Sequence, residues 1–400
     1  MKASGLVFCL GLLLVGVASA QDSLNVRSIG NYVTPSYGCG VAVSGDYAYV
    51  ADYDSGLRVV SVSNPGSPVE VGRCITPGYA WGVAVSGDYA YVAAYNAGLR
   101  IISVSNPASP TEVGFYDTPG RSYSVAVSGD YAYVADYDSG LRVISISNPA
   151  APSEVGFFDT PGYSYGVAVS GNYAYVADCQ AGLRVISVAD PAHPSYVGYL
   201  DTPGDAHGVA VSGDHAYVAD GDSGLRVISV ADPASPSEVG FSDTPGYSYA
   251  ASLSGSYAYV ADYDYGLRVV SVLDPAAPNE VGYYDTPGSS IGLAVVGDYA
   301  YVADFDYGLR IYQFLGVGVE ETPGAEVLAR RLPTVVRGVL FLEGASSLKP
   351  QAASLLDVSG RKVLDLQPGA NDVSGLAAGV YLVREAQAQG RAARRIVVAR

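Results

Sequence analysis

The sequence predicts an all-β protein, a seven-bladed β-propeller of 42-residue blades followed by a small C-terminal β-sandwich. Close copies of the stretch from Ser44 to Arg58 recur at a constant spacing of 42 residues. Each copy contains short runs rich in Val, Ile and Tyr, separated by Gly, Pro, Asp and Ser. No segment keeps the 3.6-residue apolar period of a helix. An unbroken period of this length is typical of small β units that bury their faces against one another.

The N-terminus has the pattern of an export signal. Met1 and Lys2 precede an apolar run from Leu6 to Val17, and Ala18-Ser19-Ala20 matches the small-residue site of signal peptidase. We therefore expect residues 1–20 to be a signal peptide and the mature chain to begin at Gln21. The run is shorter than the ~20 apolar residues of a membrane span, and no transmembrane segment is expected in the mature chain.

Each repeat has the size of one propeller blade. The first one predicts four short strands, which we name a, b, c and d: Gly40–Val43, Tyr47–Ala51, Gly56–Val62 and Val69–Cys74. Four strands in about 42 residues match a blade. Along strand b, Tyr47 and Tyr49 face one way and Ala48 faces the other. Most of the 34 tyrosines are therefore expected to fill the wedges between blades.

The two ends of the repeat array complement each other. The seventh copy begins at Gly292 and stops after its third strand, because no strand d follows Gln313. The missing strand stands at the other end, where Asn25 to Tyr32 aligns with Val69–Cys74 at the same period. Pairing of the terminal strands would remove both sheet edges. We expect a closed ring within residues 21–315; a parallel β-helix is the alternative.

A different composition begins after the repeats. Residues 316–326 form a linker of Gly, Pro and Glu, and residues 327–400 are richer in Arg, Ala and Leu. Runs such as Leu376 to Arg384 alternate around Gly turns, which is typical of strands. This segment is long enough for the small β-sandwich predicted at the C-terminus.

The acidity of the protein belongs to the repeats. Between Gln21 and Val319 there are 31 Asp and Glu against 10 Arg and no Lys, although the whole chain has a net charge of −17. Such a field repels nucleic acid and anionic lipid, and it favours cations or basic partners. Solubility is the alternative explanation of the charge.

The cysteines leave two readings open. Cys39, Cys74 and Cys179 are an odd number in the expected mature chain, so they cannot form a complete disulfide framework. A Cys39–Cys74 bridge and three small thiols are both compatible with the sequence.

Paired acids mark the b–c loops. In an antiparallel blade these loops emerge at the same end as the d–a loops, most of which read Thr-Pro-Gly. Two carboxylates before a Gly can begin a calcium loop, but these loops lack the further acidic ligands of an EF-hand. We favour a turn whose first Asp pairs with the following Arg, and we expect no cofactor; calcium is the alternative. The acid pairs are Asp52/Asp54, Asp136/Asp138, Asp220/Asp222, Asp262/Asp264 and Asp304/Asp306.

Two positions of the d–a loop vary among copies that otherwise agree. Variation at one rim indicates relaxed constraint or a diversified contact surface. Aromatic rings beside carboxylates suit stacking on sugars or gripping peptide side chains. The position just before strand a reads Cys39, Trp81, Tyr123, Tyr165, His207, Tyr249 and Ile291. The position two residues earlier reads Tyr37, Tyr79, Arg121, Tyr163, Asp205, Tyr247 and Ser289. The predicted ligand-binding residues are Tyr79, Trp81, Tyr123, Tyr163, Tyr165, His207, Tyr247 and Tyr249.

The sequence gives little support to catalysis. His193, His207 and His215 are the only histidines and share no metal-ligand spacing. No Gly-x-Ser-x-Gly elbow or phosphate loop appears. We predict no catalytic and no metal-binding residue, with a calcium-dependent propeller hydrolase as the enzymatic alternative.

Two resemblances refine this picture. The stretch from Gly56 to Val62, followed by Asn64-Pro65, Pro68 and Val71-Gly72, resembles the LVIVD repeat family, which implies a β-propeller on exported bacterial or archaeal proteins. The tail resembles the C-terminal sorting domain of the type IX secretion system, through Asp357-Val358-Ser359-Gly360-Arg361 and Leu376-Ala377-Ala378-Gly379-Val380-Tyr381. This second resemblance implies export across an outer membrane, followed by release or surface anchoring.

Together these features predict an exported binding or adhesion module. It would be secreted or held on the outer surface of a Gram-negative-type bacterium. Its partners would be a surface glycan or a protein or peptide ligand, together with the type IX machinery through the C-terminal domain. The alternatives are the hydrolase and a purely structural surface scaffold.

Overall fold

The fold is described from a computed structural model that covers residues 23–316 and seven strands of the C-terminal tail. In chain order the strands of residues 23–316 are β1 (Ser23–Leu24), β2 (Val26–Tyr32), β3 (Gly40–Ser44), β4 (Tyr47–Ala51), β5 (Leu57–Ser61), β6 (Val69–Cys74), β7 (Gly82–Ser86), β8 (Tyr89–Ala93), β9 (Leu99–Ser103), β10 (Thr111–Tyr116), β11 (Ser124–Ser128), β12 (Tyr131–Ala135), β13 (Leu141–Ser145), β14 (Ser153–Phe158), β15 (Gly166–Ser170), β16 (Tyr173–Ala177), β17 (Leu183–Ser187), β18 (Ser195–Leu200), β19 (Gly208–Ser212), β20 (His215–Ala219), β21 (Leu225–Ser229), β22 (Ser237–Ser242), β23 (Ala250–Ser254), β24 (Tyr257–Ala261), β25 (Leu267–Ser271), β26 (Asn279–Tyr284), β27 (Gly292–Val296), β28 (Tyr299–Ala303) and β29 (Leu309–Phe314).

These strands form the seven predicted blades. Six blades are antiparallel meanders of consecutive strands, from β3–β6 in blade one to β23–β26 in blade six. The inner strands of neighbouring blades contact one another around the ring, including β27 of blade seven against β3 of blade one. The fold-class prediction of an all-β, seven-bladed propeller is confirmed.

Blade seven is closed by the two ends of the array. Its sheet has the order β2-β29-β28-β27, with Val26 opposite Phe314 and Tyr32 opposite Leu309. The predicted exchange of the terminal strands is therefore confirmed. One further pairing was not expected: β1 adds a fifth strand to blade six, where Leu24 lies opposite Tyr283.

The core consists of the wedges between blades. On one face of β8, Tyr91 and Ala93 pack against Ala132 and Val134 on the opposite face of β12. The ring of Tyr91 is only 4% exposed, and Ala132 is fully buried. This packing confirms the predicted pairing of a large Tyr face with a small Ala face. The space between two blades is a wedge, so its two walls need side chains of unequal size.

The cysteines in the described part of the chain are free. Cys39 and Cys179 are buried, and Cys74 is half-buried at the end of the outer strand β6. The Cys39–Cys74 bridge is not formed. Cys39 stands before the inner strand β3 and Cys74 ends the outer strand β6, so the two residues lie on opposite sides of the same blade.

The tail contributes β30 (Thr334–Val336), β31 (Val339–Leu342), β32 (Ala353–Leu356), β33 (Lys362–Leu366), β34 (Gly369–Asp372), β35 (Gly379–Glu385) and β36 (Ala393–Val398). Five of these strands form a sheet of order β30-β36-β35-β32-β33, and β31 pairs with β34. The predicted sandwich stays a prediction. Residues 1–20 and the linker beyond Gly316 lie outside the described residues. Among the described residues, no helix could cross a membrane.

Candidate functional site

The b–c and d–a loops meet at one end of the ring, as predicted. In blade three the carboxylate of Asp136 joins the two loops. Its Oδ1 accepts hydrogen bonds from the hydroxyls of Thr118 and Ser122, at 2.6 and 2.9 Å. Its Oδ2 accepts from the backbone N–H of Gly120 at 2.7 Å. Asp136 is fully buried, and this burial raises the pKa of its carboxyl although the hydrogen bonds act in the opposite direction.

The predicted pairing of the first Asp with the Arg of Gly-Leu-Arg is present in blades one, four, five, six and seven. In blade three Arg142 pairs instead with Glu154 and Asp159. In blade one Arg58 Nε lies 3.2 Å from Asp52 Oδ2, and in blade four Arg184 Nε lies 3.8 Å from Asp178 Oδ2. In the five loops that have two acids the second Asp is exposed, so the two carboxylates of such a loop occupy different environments. Within the described residues, no three His, Cys, Asp or Glu side chains converge as metal ligands would. Calcium binding stays an untested alternative.

The residue between the two acids has an unusual backbone. All seven copies have a positive φ, although six of them are not glycine. Such a conformation costs a bulky residue about 1–3 kcal/mol. It is held by backbone hydrogen bonds in both directions, as between Tyr53 and Ala80 at 3.2 and 2.8 Å. The φ angles are Tyr53 42°, Tyr95 50°, Tyr137 55°, Cys179 50°, Gly221 53°, Tyr263 50° and Phe305 37°.

This backbone places the side chain against the next d–a loop. Three junctions between blades contain parallel stacked rings: Tyr53 on Tyr79, Tyr137 on Tyr163 and Phe305 on Tyr37, with centroids 4.1 to 4.3 Å apart. At a fourth junction Arg121 replaces the second ring, and its guanidinium carbon lies 5.4 Å from the centroid of Tyr95. We call the seven residues with positive φ and their d–a loop partners the outer ring.

The position just before strand a forms an inner ring. It consists of Cys39, Trp81, Tyr123, Tyr165, His207, Tyr249 and Ile291, which line a central cavity of about 370 Å³ together with the first residues of the inner strands. Five of these side chains form an unbroken aromatic arc from Trp81 to Tyr249. Successive centroids are 5.2, 4.8, 4.5 and 4.8 Å apart.

A hydrogen-bonded chain joins the two rings between blades five and six. His207 Nε2 lies 3.0 Å from the hydroxyl of Tyr247, which donates to Asp205 Oδ2 at 3.2 Å. Because the Tyr247 proton goes to Asp205, the imidazole donates from Nε2. Burial lowers the pKa of His207 to about 4, although the nearby Asp205 acts in the opposite direction. The imidazole is therefore neutral at neutral pH.

All eight residues predicted to bind a ligand lie at this end of the propeller, which we call the aromatic face. Trp81, Tyr123, Tyr165, His207 and Tyr249 belong to the inner ring, and the others lie in the outer ring. The aromatic residues with positive φ were not predicted from the sequence: Tyr53, Tyr95, Tyr137, Tyr263 and Phe305. Reading the middle position of each Asp-x-Asp across the repeats would have found them.

Comparisons with known proteins agree with this architecture. LVIVD repeats match residues 36–76, 77–118, 119–160, 161–202, 203–244, 245–286 and 287–311. No curated protein matches the chain. The crystal structure of the WD40 β-propeller domain of Doa1 is similar with a TM-score of 0.61 and 10% identity, over 72% of this chain and 97% of that one.

Two further structures resemble it over the same share of the chain. A chain of the Mitotic Checkpoint Complex has a TM-score of 0.59 at 13% identity, with 94% of that chain covered. The computationally designed protein Ika8 has a TM-score of 0.54 at 10% identity, with 99% covered. At such identities these likenesses concern the fold alone. Because the family's repeats match from residue 36 to residue 311, the chain belongs to the LVIVD repeat family.

Proposed function

We propose that this protein is a non-catalytic binding or adhesion module, which recognises a carbohydrate, peptide or protein partner through its aromatic face. The observation that supports this most directly is the arc of five side chains from Trp81 to Tyr249 around an open cavity. Aromatic rings provide large contact area at a small cost in side-chain entropy, and their faces stack on planar or apolar groups. A cavity of about 370 Å³ has the size of a small ligand site.

Backbone strain supports the same proposal. Gly221 adopts the positive φ without steric cost, so the fold itself does not need a side chain there. Tyr or Phe occupies the position in five of the other blades, each at a cost of about 1–3 kcal/mol. Strain of this kind concentrates at functional sites, where the side chain has a use that offsets it.

A binding array tests the proposal. The purified chain is applied to glycan and peptide arrays, with and without calcium, beside a variant in which Trp81, Tyr123, Tyr165 and Tyr249 are changed to Ala. We expect selective binding that the variant loses while its circular dichroism spectrum is unchanged. The matched control is Tyr196→Ala, which removes a half-exposed ring of the outer strand β18. Retained binding by the fourfold variant would reject the aromatic face as the site.

A blank array in both conditions would instead favour the structural scaffold. That alternative predicts self-association, which analytical ultracentrifugation over a range of protein concentrations would detect. A monomer with a blank array would contradict both the binding and the scaffold proposals.

We also propose that the protein is exported and sorted by its C-terminal segment. The support is the small-residue site at Ala18-Ser19-Ala20 and the tail's resemblance to type IX sorting domains. In a bacterium with that machinery, mass spectrometry should find an N-terminus at Gln21. Deletion of residues 327–400 should retain the protein in the periplasm. Surface delivery of the truncated chain would contradict the role of the tail.

A further inference from the structure

The aromatic face is an acidic surface, and the arginines of the Gly-Leu-Arg sequences are engaged by carboxylates of their own blades. The second Asp of five b–c loops is exposed there, at Asp54, Asp138, Asp222, Asp264 and Asp306. The arginines of the seven Gly-Leu-Arg sequences form ion pairs with carboxylates of their own blades, among them Arg142 with Asp159 at 2.9 Å and Arg268 with Asp285 at 2.7 Å. The repeats contain no lysine. A cation from solution therefore meets an attractive field at this end of the propeller.

The face already binds one cation of its own. Arg121 stands where the neighbouring d–a loops have Tyr79 and Tyr163, and it spans the rings of Tyr95 and Tyr137. Its guanidinium carbon lies 5.4 Å from both centroids, within the range of an attractive cation–π contact. The residue is exposed, so this contact forms at the surface, where competing water makes it weakest.

The inner ring offers the same chemistry in a more enclosed place. Its cavity of about 370 Å³ is bordered by the rings of Trp81, Tyr123 and Tyr165 and by the imidazole of His207. That imidazole is neutral at neutral pH, so it does not repel a cation, and Asp205 stands behind it in the hydrogen-bonded chain through Tyr247. A cation shielded from water between several rings gains more than one at an exposed site.

We propose that the inner ring and its cavity receive a cationic side chain, arginine or lysine, from a basic peptide segment of a partner protein. This inference rests on the proposed function and names the ligand class of the same site. The rings would stack on the cation, and the exposed carboxylates around them would steer the basic segment to the face. A neutral sugar would gain the stacking but not the charge contribution.

The single tryptophan of the chain provides a direct measurement. Trp81 lies in the inner ring, so its fluorescence reports occupancy of the cavity without a label. The probes are acetyl-Gly-Arg-Gly-Arg-Gly-amide, the same peptide with citrulline for arginine, its lysine counterpart and maltopentaose. We expect the arginine and lysine peptides to change the fluorescence of Trp81 saturably. The citrulline peptide should bind at least about tenfold more weakly. Added salt should weaken the binding of the charged peptides.

Variants separate the contribution of the inner-ring side chains to binding from that of the electrostatic field of the face. Changing Tyr123 and Tyr165 together to Ala should weaken binding of the arginine peptide at least about tenfold, whereas Tyr196→Ala should leave this binding unchanged. Arg121→Gln removes a positive charge from the face and should tighten binding about twofold or more. Neutralising the exposed Asp138, Asp222 and Asp264 to Asn should slow association at low salt without altering the fold, because these side chains are exposed.

Each outcome has a defined meaning. Equal binding of the citrulline and arginine peptides, or binding of maltopentaose alone, would overturn the cation proposal while the general binding function stands. Binding of the arginine peptide that persists in the Tyr123 and Tyr165 variant would show that the carboxylates act without the inner ring, and would also overturn it. No response to any probe, together with blank arrays, would reject both proposals.

Discussion

At the scale of single residues, the buried Asp of the b–c loop is a hydrogen-bond acceptor for the neighbouring loop. Blade two supports this interpretation, because Ala94 replaces the Asp and Ala80 replaces one of the hydroxyl donors. Thr76 keeps its hydroxyl there and has no hydrogen-bond partner within the described residues. In blade two the acceptor and one of its donors are absent together, whereas blades one and five keep the Asp with Gly38 and Ala206 at that donor position. A blade that keeps every donor should depend on its carboxylate.

We therefore expect Asp136→Ala to lower the free energy of unfolding by about 2–4 kcal/mol, since it leaves Thr118, Ser122 and the Gly120 N–H without their acceptor. Asp136→Asn should cost about 1 kcal/mol or less, because the two hydroxyls can reverse and accept from the amide. Urea unfolding followed by circular dichroism measures both. Equal losses in the two variants would show that the charge opposite Arg142, rather than the hydrogen bonds, stabilises the loop.

His207 predicts a dependence of stability on pH. Its pKa is about 4 in the folded chain and near 6.5 when unfolded, so the unfolded chain binds the proton more readily between these values. The stability that neutral His207 contributes is complete above about pH 6.5 and is lost as the pH falls toward 4. His207→Gln, which keeps a donor for Tyr247, should remove about 1–3 kcal/mol of this dependence.

The measurement is the difference in thermal midpoint between the wild type and His207→Gln at pH 7 and at pH 5. Taking the difference cancels the contribution of the buried carboxylates to the pH dependence of stability. Their raised pKa values change the stability with pH in the direction opposite to His207. A difference that is the same at both pH values would contradict the burial of a neutral imidazole.

At the scale of strands, the sequence located the elements of a blade accurately. In the first blade it predicted strands at Gly40–Val43 and Gly56–Val62, and the structure has β3 at Gly40–Ser44 and β5 at Leu57–Ser61. The apolar alternation and the Gly and Pro turns are local signals, which explains this success. The irregularity of the outer strand was not predicted. The pairing of β10 with β9 shifts between Glu112 and Gly114, and Gly114 lies against the next blade.

Gly114 is required by contact with that neighbour. A Cβ atom at this position would lie 2.1 Å from the backbone oxygen of Pro149. Gly114→Ala should therefore destabilise the protein by at least about 2 kcal/mol, because a backbone atom would have to move. The matched control is Gly66→Ala, where the nearest atom would be 3.6 Å away and where Ala already stands in other blades, as at Ala108. Urea midpoints of the two variants test this, and equal midpoints would contradict it.

At the scale of the whole molecule, the period of 42 residues and the unpaired terminal strand were enough to predict a closed ring, because both are properties of the chain order. The residues of the inner ring were also singled out from the sequence, since they stand directly before strand a. The outer ring was only half predicted. The sequence does not distinguish Tyr53 and its counterparts from ordinary turn residues, and only the positive φ turns their side chains onto the next loop.

The closure of blade seven is the final property to test. Val26 of β2 is 3% exposed and packs with Tyr259, Tyr312 and Phe314, so β2 completes a hydrophobic cluster as well as a sheet. Without it, the outer edge of β29 would offer unpaired N–H and C=O groups to another chain. Deletion of residues 21–32 should therefore lower the thermal midpoint and produce dimers or larger species.

Size-exclusion chromatography with light scattering measures this outcome. Deletion of residues 21–24 is the matched control, because it removes β1 from the edge of blade six and leaves β2 in place. We expect this shorter deletion to remain monomeric. A synthetic peptide of residues 23–33, added to the longer deletion, should pair with β29 and restore the monomer. If the longer deletion stays monomeric with an unchanged thermal midpoint, the ring does not depend on its N-terminal strand.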